Sequence, residues 1–191
     1  MKITKEQLME KAIQLFKAEG FEHVTVDRIC QECNVSKGSF YHHFPSKNDI
    51  LLCFYDSTST HALSMTLELL ELTSPINQLW KVFEDSIDRT IALGADLLKH
   101  MLLLDIQRGN SLLNPYGFEQ DKELQEFANL VKNIIKRGQS VGEIRVGEPK
   151  DLIFAYISGL LGVAMNWSAS GGGYDEKAEL YRLFCIIFCA Q

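Results

Sequence analysis

The stretch Thr25-Val26-Asp27-Arg28-Ile29-Cys30-Gln31-Glu32-Cys33-Asn34-Val35-Ser36-Lys37-Gly38-Ser39-Phe40-Tyr41-His42-His43-Phe44-Pro45-Ser46-Lys47 holds two short helical patterns joined by a tight turn. Thr25 is placed to cap the first, with Asp27 favourable in its opening turn. Val26, Ile29, Cys30 and Cys33 give that helix its apolar side. Asn34 stands where the chain must reverse, and asparagine tolerates the left-handed backbone that such a turn often needs. Ser36 is placed to cap the second helix, which the pattern carries only to about His43. Pro45-Ser46 then makes a break, and Ser46 caps a new helix with Asp49 at its third position.

Upstream, Thr4 and Gln7 have the spacing of a capping box, and Ile3 and Leu8 that of a hydrophobic staple. Leu8, Ala12, Leu15 and Phe16 share one helical face, and Gly20 ends the helix. Three helices thus occupy the first 44 residues, the last two in a helix-turn-helix layout. Downstream, the helical pattern runs from Lys47 to about Leu72, a rod of roughly 40 Å. Further helices are predicted near 76–93, 95–108, 119–140, 150–169 and 175–189. They are separated by Pro75, Gly94, an Asn114-Pro115-Tyr116-Gly117 turn, Gly142 to Pro149, and Gly171 to Gly173. Strand alternation, internal repeats and low-complexity tracts are lacking. The expected fold class is all-α: an N-terminal helix-turn-helix domain over 1–46 and a helical ligand-binding and dimerisation domain over 47–191.

Composition agrees with an ordinary globular chain: 46% hydrophobic and 23% charged over 191 residues. The N-terminus lacks the apolar run of a secretory signal, and five cysteines cannot all pair within one chain, so a cytoplasmic protein is expected. The net charge of −6 hides an asymmetry: residues 1–48 carry seven Lys/Arg and six Asp/Glu (+1), the remainder 12 and 19 (−7). A near-neutral head on an acidic body points to parts with different partners. Leu152 to Tyr174 is 23 residues without formal charge. Ser158, Asn166, Ser168, Ser170 and three successive glycines interrupt its hydrocarbon, and mean hydropathy is −0.04 overall. A buried helix rather than a membrane span is therefore expected.

The stretch from Thr25 to Lys47 resembles the DNA-binding signature of the TetR (tetracycline-repressor) family, the likeness covering about residues 4–52. Cysteine replaces the usual alanine at positions 30 and 33, and asparagine the usual glycine at 34; these changes are physically conservative. Val35, Phe40 and Phe44 supply an apolar clamp for the recognition helix. Gly38 leaves room for close backbone approach. The resemblance implies a groove-facing surface of Lys37, Gly38, Ser39, Tyr41, His42 and His43, with Thr25, Ser36 and Lys47 on the DNA backbone. It also implies a homodimer on double-stranded DNA, released from a palindromic operator by a small hydrophobic effector, with the last two helices pairing with their copies.

For the dimer interface the expected residues are Phe154, Ser158, Leu161, Gly162, Leu183 and Ile187, where small side chains allow close helix approach. For the effector, Trp80, Phe83, His100, Met101, Phe127 and Trp167 are candidates, although helical aromatics and methionines commonly serve as core. The Cys30/Cys33 spacing reads as core packing, with a thiol switch as the alternative. It lacks the further ligands of a zinc site, so neither a metal nor a cofactor is expected. His42 and His43, adjacent on a helix, point about 100° apart and cannot easily share an ion. Nucleophile elbows, paired His/carboxylate metal motifs and phosphate-binding glycine loops are missing, leaving an all-helical enzyme on a hydrophobic substrate as a remote alternative.

Overall fold

The computed structural model describes residues 3–54, 66–108 and 122–190. Its first helix, α1 (Lys5–Glu19), carries the full capping box: Gln7 N donates to Thr4 Oγ1 (3.2 Å), and Thr4 N to Gln7 Oε1 (3.1 Å). Gly20 ends it with φ +84° and ψ 138°, so the reversal is not a left-handed helical turn. Then come α2 (Val26–Cys33) and α3 (Lys37–His43), capped by Thr25 and Ser36, and a fourth helix, α4, over 47–54. The body contains α5 (Thr66–Glu71), α6 (Pro75–Leu93), α7 (Ala95–Arg108), α8 (Lys122–Ser140), α9 (Pro149–Ala169) and α10 (Glu176–Phe188). The expected helix boundaries therefore hold to within a residue or so wherever both ends are described. The middle of the 47–72 rod and the turn at 114–117 lie outside the described residues, as does the side chain of Phe127.

Two apolar cores organise these helices. The first joins Leu8, Ala12 and Phe16 of α1 to Ile29 of α2, Phe40 of α3 and Ile50 and Leu51 of α4. It continues into Leu97, Leu98 and Met101 of α7 and Ala164 and Trp167 of α9, so head and body share packed side chains. The second lies within the body, where Leu79, Val82 and Phe83 of α6 meet Ile134 and Ile135 of α8, Tyr156 of α9 and Phe184 and Phe188 of α10. Complete burial of a side chain such as Phe40 contributes about 1.5–3 kcal/mol, so the head depends on a few such residues.

Polar clasps close the body. Glu143, in the α8–α9 turn, accepts from Ser74 Oγ (2.7 Å) and Ile76 N (3.1 Å), which holds that turn against the start of α6. The chain end returns to the same turn: Arg145 N donates to Phe188 O (2.7 Å) and Ala190 N to Glu143 O (3.2 Å). By length and composition α9 could cross a membrane, with only 22% of its most apolar window buried in the isolated chain. Its inward side is Tyr156, Ala164, Trp167 and Ser168. Its other side leaves Phe154, Ser158, Gly162 and Met165 exposed.

Candidate nucleic-acid interface

The geometry of the helix-turn-helix follows from three local devices. Thr25 Oγ1 accepts from Arg28 N (3.2 Å), starting α2. Asn34 adopts φ +54° and ψ 47°, the left-handed conformation that reverses the chain, and Val35 N donates to Cys30 O (3.0 Å). Ser36 Oγ accepts from Ser39 N (3.1 Å), starting α3. Both capping hydroxyls use their oxygen for the helix and keep a proton to donate outward, to a phosphate for example.

The inner side of α3 is Phe40, fully buried, followed by Phe44 just past the helix end, their rings 6.2 Å apart. These anchors turn the opposite side to solvent, where Lys37, Gly38, Tyr41 and His42 are exposed and Ser39 and His43 half-buried. Tyr41 is 52% exposed, its ring edge-on to Phe40 at 5.4 Å, a contact that steadies it. An added Cβ at Gly38 would meet nothing nearer than Ser36 Oγ at 3.8 Å, so the space above the backbone is open. Of the expected groove-facing residues, Lys37, Gly38, Tyr41 and His42 are thus exposed on the side away from Phe40, with Ser39 and His43 half-buried at its flanks.

Electrostatics modify the expectation. Lys37 Nζ lies 2.7 Å from Asp27 Oδ1, and this exposed pair links the start of α3 to α2 while holding the lysine pKa above its ordinary value. Arg28 bridges Glu19 (2.7 Å) and Glu32 (2.8 Å), which neutralises it and ties α2 to α1. Lys47 turns inward. Its ammonium donates to Phe21 O (2.7 Å) and Val24 O (3.1 Å) and lies 4.5 Å from the Phe21 ring centroid. Lys47 thus clasps the α1–α2 connection to α4, and the face near it offers the start of α4 rather than a free cation. The Arg28–Glu32 pair is readable from its i,i+4 spacing; Glu19 and the two carbonyls are brought in by tertiary folding alone.

Cys30 and Cys33 are buried, and burial pushes both thiols up, away from the reactive thiolate. Clusters of residues able to hold a metal are absent among the described residues.

The six effector candidates do not converge. Trp80 and Phe83 belong to the second core, with Trp80 5.2 Å from Phe184 and Phe83 4.5 Å from Tyr156, ring to ring. Met101 and Trp167 are buried in the first core, and Trp167 Nε1 donates to Tyr174 O (3.0 Å). His100 sits at the head–body junction, its ring 4.9 Å from Phe21 and its Nδ1 3.5 Å from Glu22. The interface candidates also divide. Phe154 is 41% exposed, and Ser158 and Gly162 are exposed as well. Leu161 packs partly on the first core, and Leu183 and Ile187 partly on the second. Leu183 fits close over Gly159, where an added Cβ would come within 2.7 Å of it. Met165, Tyr181 and Ile186, each about half exposed or more, complete the outer apolar face of α9 and α10.

Fold and face together define a helix-turn-helix protein with a helical body. The family profile described as "Bacterial regulatory proteins, tetR family" matches residues 8–52, the helix-turn-helix head of this chain. Among curated relatives, the HTH-type regulator YuxN of Bacillus subtilis is 39% identical over 69 residues, 34% of this chain; the chain spans only 24% of that relative. The HTH-type transcriptional repressor KstR2 of Rhodococcus jostii is 26% identical over 184 residues, covering 92% of this chain and 85% of the relative. Among solved structures, Thermus thermophilus FadR, a TetR-family repressor in complex with lauroyl-CoA, superposes with a TM-score of 0.64 at 20% identity. That match covers 96% of this chain and 93% of FadR.

Proposed function

We propose that the chain is a ligand-responsive transcriptional regulator of the cytoplasm, a repressor that binds double-stranded DNA as a homodimer. The observation that carries this reading is the exposed face of α3, held outward by the buried Phe40 and Phe44. Regulators of this type among the relatives support it, and the acyl-CoA bound to FadR supports a body that accepts a small hydrophobic effector. Phe154, Ser158, Gly162 and Met165 on α9, with Tyr181 and Ile186 on α10, form an apolar face for the twofold mate.

In the dimer, two recognition helices enter successive major grooves about 34–36 Å apart, which requires an operator of approximate twofold symmetry. The effector favours a body conformation that spaces the heads wrongly. A hundredfold loss of operator affinity requires a preference of about 2.7 kcal/mol for that conformation. The transmitting element is α7. Its Leu97, Leu98 and Met101 belong to the core of the head, and Arg108 pairs with Asp49 of α4 at 2.8 Å. Gly94, with φ +92°, sets the angle between α6 and α7. The thiol-switch alternative is disfavoured by the burial of Cys30 and Cys33; replacing both by alanine leaves a ligand response intact on this account.

Selection of bound sequences from random duplex DNA tests the reading. A palindromic motif is expected, and no enrichment at low salt would overturn it.

A further inference from the structure

The recognition helix ends in two histidines, while the head's other bases are largely engaged within the protein. Residues 1–48 carry seven Lys/Arg and six Asp/Glu, a balance of +1. Lys37 lies 2.7 Å from Asp27, and Arg28 bridges Glu19 and Glu32, so each meets DNA together with its countercharge. Lys47 gives its hydrogen bonds to the carbonyls of Phe21 and Val24, and Lys5 sits 5.4 Å from the centroid of the Phe44 ring. A polyanion approaching α3 therefore finds little uncommitted positive charge, although phosphate neutralisation supplies much of the affinity for duplex DNA.

His42 and His43 occupy the last turn of α3, His42 exposed and His43 half-buried, with their ring centroids 5.2 Å apart. Two imidazolium charges at that spacing repel, so the pair takes up one proton more readily than two. Their surroundings differ. His43 interacts electrostatically with Glu6 at the start of α1, beside Lys5. His42 forms no ion pair among the described residues. The charges on the elements packed against α3 turn elsewhere: Asp27 of α2 to Lys37, Arg28 and Glu32 of α2 to each other, and Lys47 of α4 to the α1–α2 connection. A charge on His42 must therefore find its counterion outside the chain. Imidazole is the side chain whose charge ordinarily changes between pH 5 and 8.

We propose that His42 makes duplex binding proton-linked: its imidazole takes a proton from solvent as α3 meets the phosphates and supplies the positive charge that the head otherwise lacks. One proton raises the head from +1 to +2, a large proportional change for so nearly neutral a surface. A nearby phosphate favours the charged imidazole, so the complex holds the proton more tightly than the free protein does. Affinity is therefore greatest in acid and falls as pH rises through the range in which the bound imidazole loses its proton. With two heads on one duplex the effect enters twice. The inference adds a regulation to the DNA-binding face of the proposed function and rests on that reading.

Titration of the full chain against its selected duplex at pH 6 and pH 8, at equal ionic strength, tests this. The parent is expected to bind at least roughly tenfold tighter at pH 6, with a steeper salt dependence there, by about 0.9 for each histidine paired with a phosphate. His42→Gln should bring the ratio of the two affinities to within about twofold of one, and His42→Lys, with a fixed charge, should do the same. Calorimetry of the parent near pH 7, in buffers of different ionisation enthalpy, should show net proton uptake on binding. It needs no variant. Equal affinity at the two pH values, an unchanged ratio in His42→Gln, or no proton uptake would overturn the inference and leave the regulator reading standing. Absence of duplex binding at both pH values would overturn the two together.

Discussion

The head and the body solve the same packing problem by different means. In the head, α1, α2 and α3 are each started by a neighbouring side chain, and the buried set is small and apolar: Thr4, Thr25 and Ser36 cap, while Phe16, Ile29 and Phe40 fill. In the body, the fit depends on residues far apart in the chain, such as Glu143 with Ser74 and Lys177 with Asp88, and polar groups are buried among the aromatics. The head therefore presents a fixed surface. The body instead buries polar atoms, the Tyr156 hydroxyl and Glu176 Oε2, that have no hydrogen-bond partner among the described residues, at a cost in stability.

The largest expected effect breaks the head. Phe40→Ala removes its fully buried anchor and should destabilise the protein by about 3–5 kcal/mol, read from denaturant unfolding. Duplex binding should be lost with it. If Phe40→Ala unfolds like the parent chain, the head does not depend on this side chain and the contrast fails.

The next effect belongs to the body and has a sign fixed by Glu176. Its folded pKa of about 7 lies above the ordinary carboxyl value of 4.5, so the folded state holds a proton that the unfolded state releases. Stability from this group is present in acid and is lost as pH rises from about 4.5 through about 7. Glu176→Gln should therefore be the more stable protein at pH 8, by about 2–3 kcal/mol, with the difference vanishing near pH 4. Thermal unfolding at the two pH values checks this, and a parallel shift at both would contradict it.

A smaller effect tests close packing at the α8–α9 turn. A Cβ at Gly138 would stand 2.4 Å from Ile144 Cδ1 and 3.1 Å from Ile144 Cβ, too near for the end of the side chain alone to yield. Gly138→Ala should destabilise by about 1–3 kcal/mol while leaving duplex affinity per folded molecule unchanged. The smallest effect on stability is expected for Lys37→Ala, because its pair with Asp27 is exposed. Its thermal midpoint should stay within error of the parent's, whereas its affinity for the selected duplex should fall by about 1–3 kcal/mol, as expected of a groove-facing lysine.

How much was legible in the sequence follows the same division. Caps and turns act over three or four residues, so Thr4 with Gln7, Thr25, Ser36 and the left-handed Asn34 could all be read from local chemistry. Helix limits set by Pro75, Gly94 and Pro149 were equally local. What a side chain meets across the fold was not. The resemblance implies Lys47 on the DNA backbone, whereas the fold gives its ammonium to the carbonyls of residues 21 and 24. Met101 and Trp167 have pocket-like chemistry but pack into the core of the head, away from Trp80 and Phe83. Glu176 was indistinguishable from any acid in the first turn of a helix, where a carboxylate is ordinarily favourable and exposed. Only its inward position on α10 makes it exceptional.

The central claim is that the exposed face of α3, doubled by a twofold axis, recognises DNA. Footprinting of the protein on its selected duplex, alongside the Tyr41→Ala variant, tests this most directly. The account predicts two protected half-sites one helical turn apart, about 34–36 Å, that disappear in Tyr41→Ala while its unfolding curve matches the parent's. A single protected site, or an unchanged footprint in the variant, would contradict it.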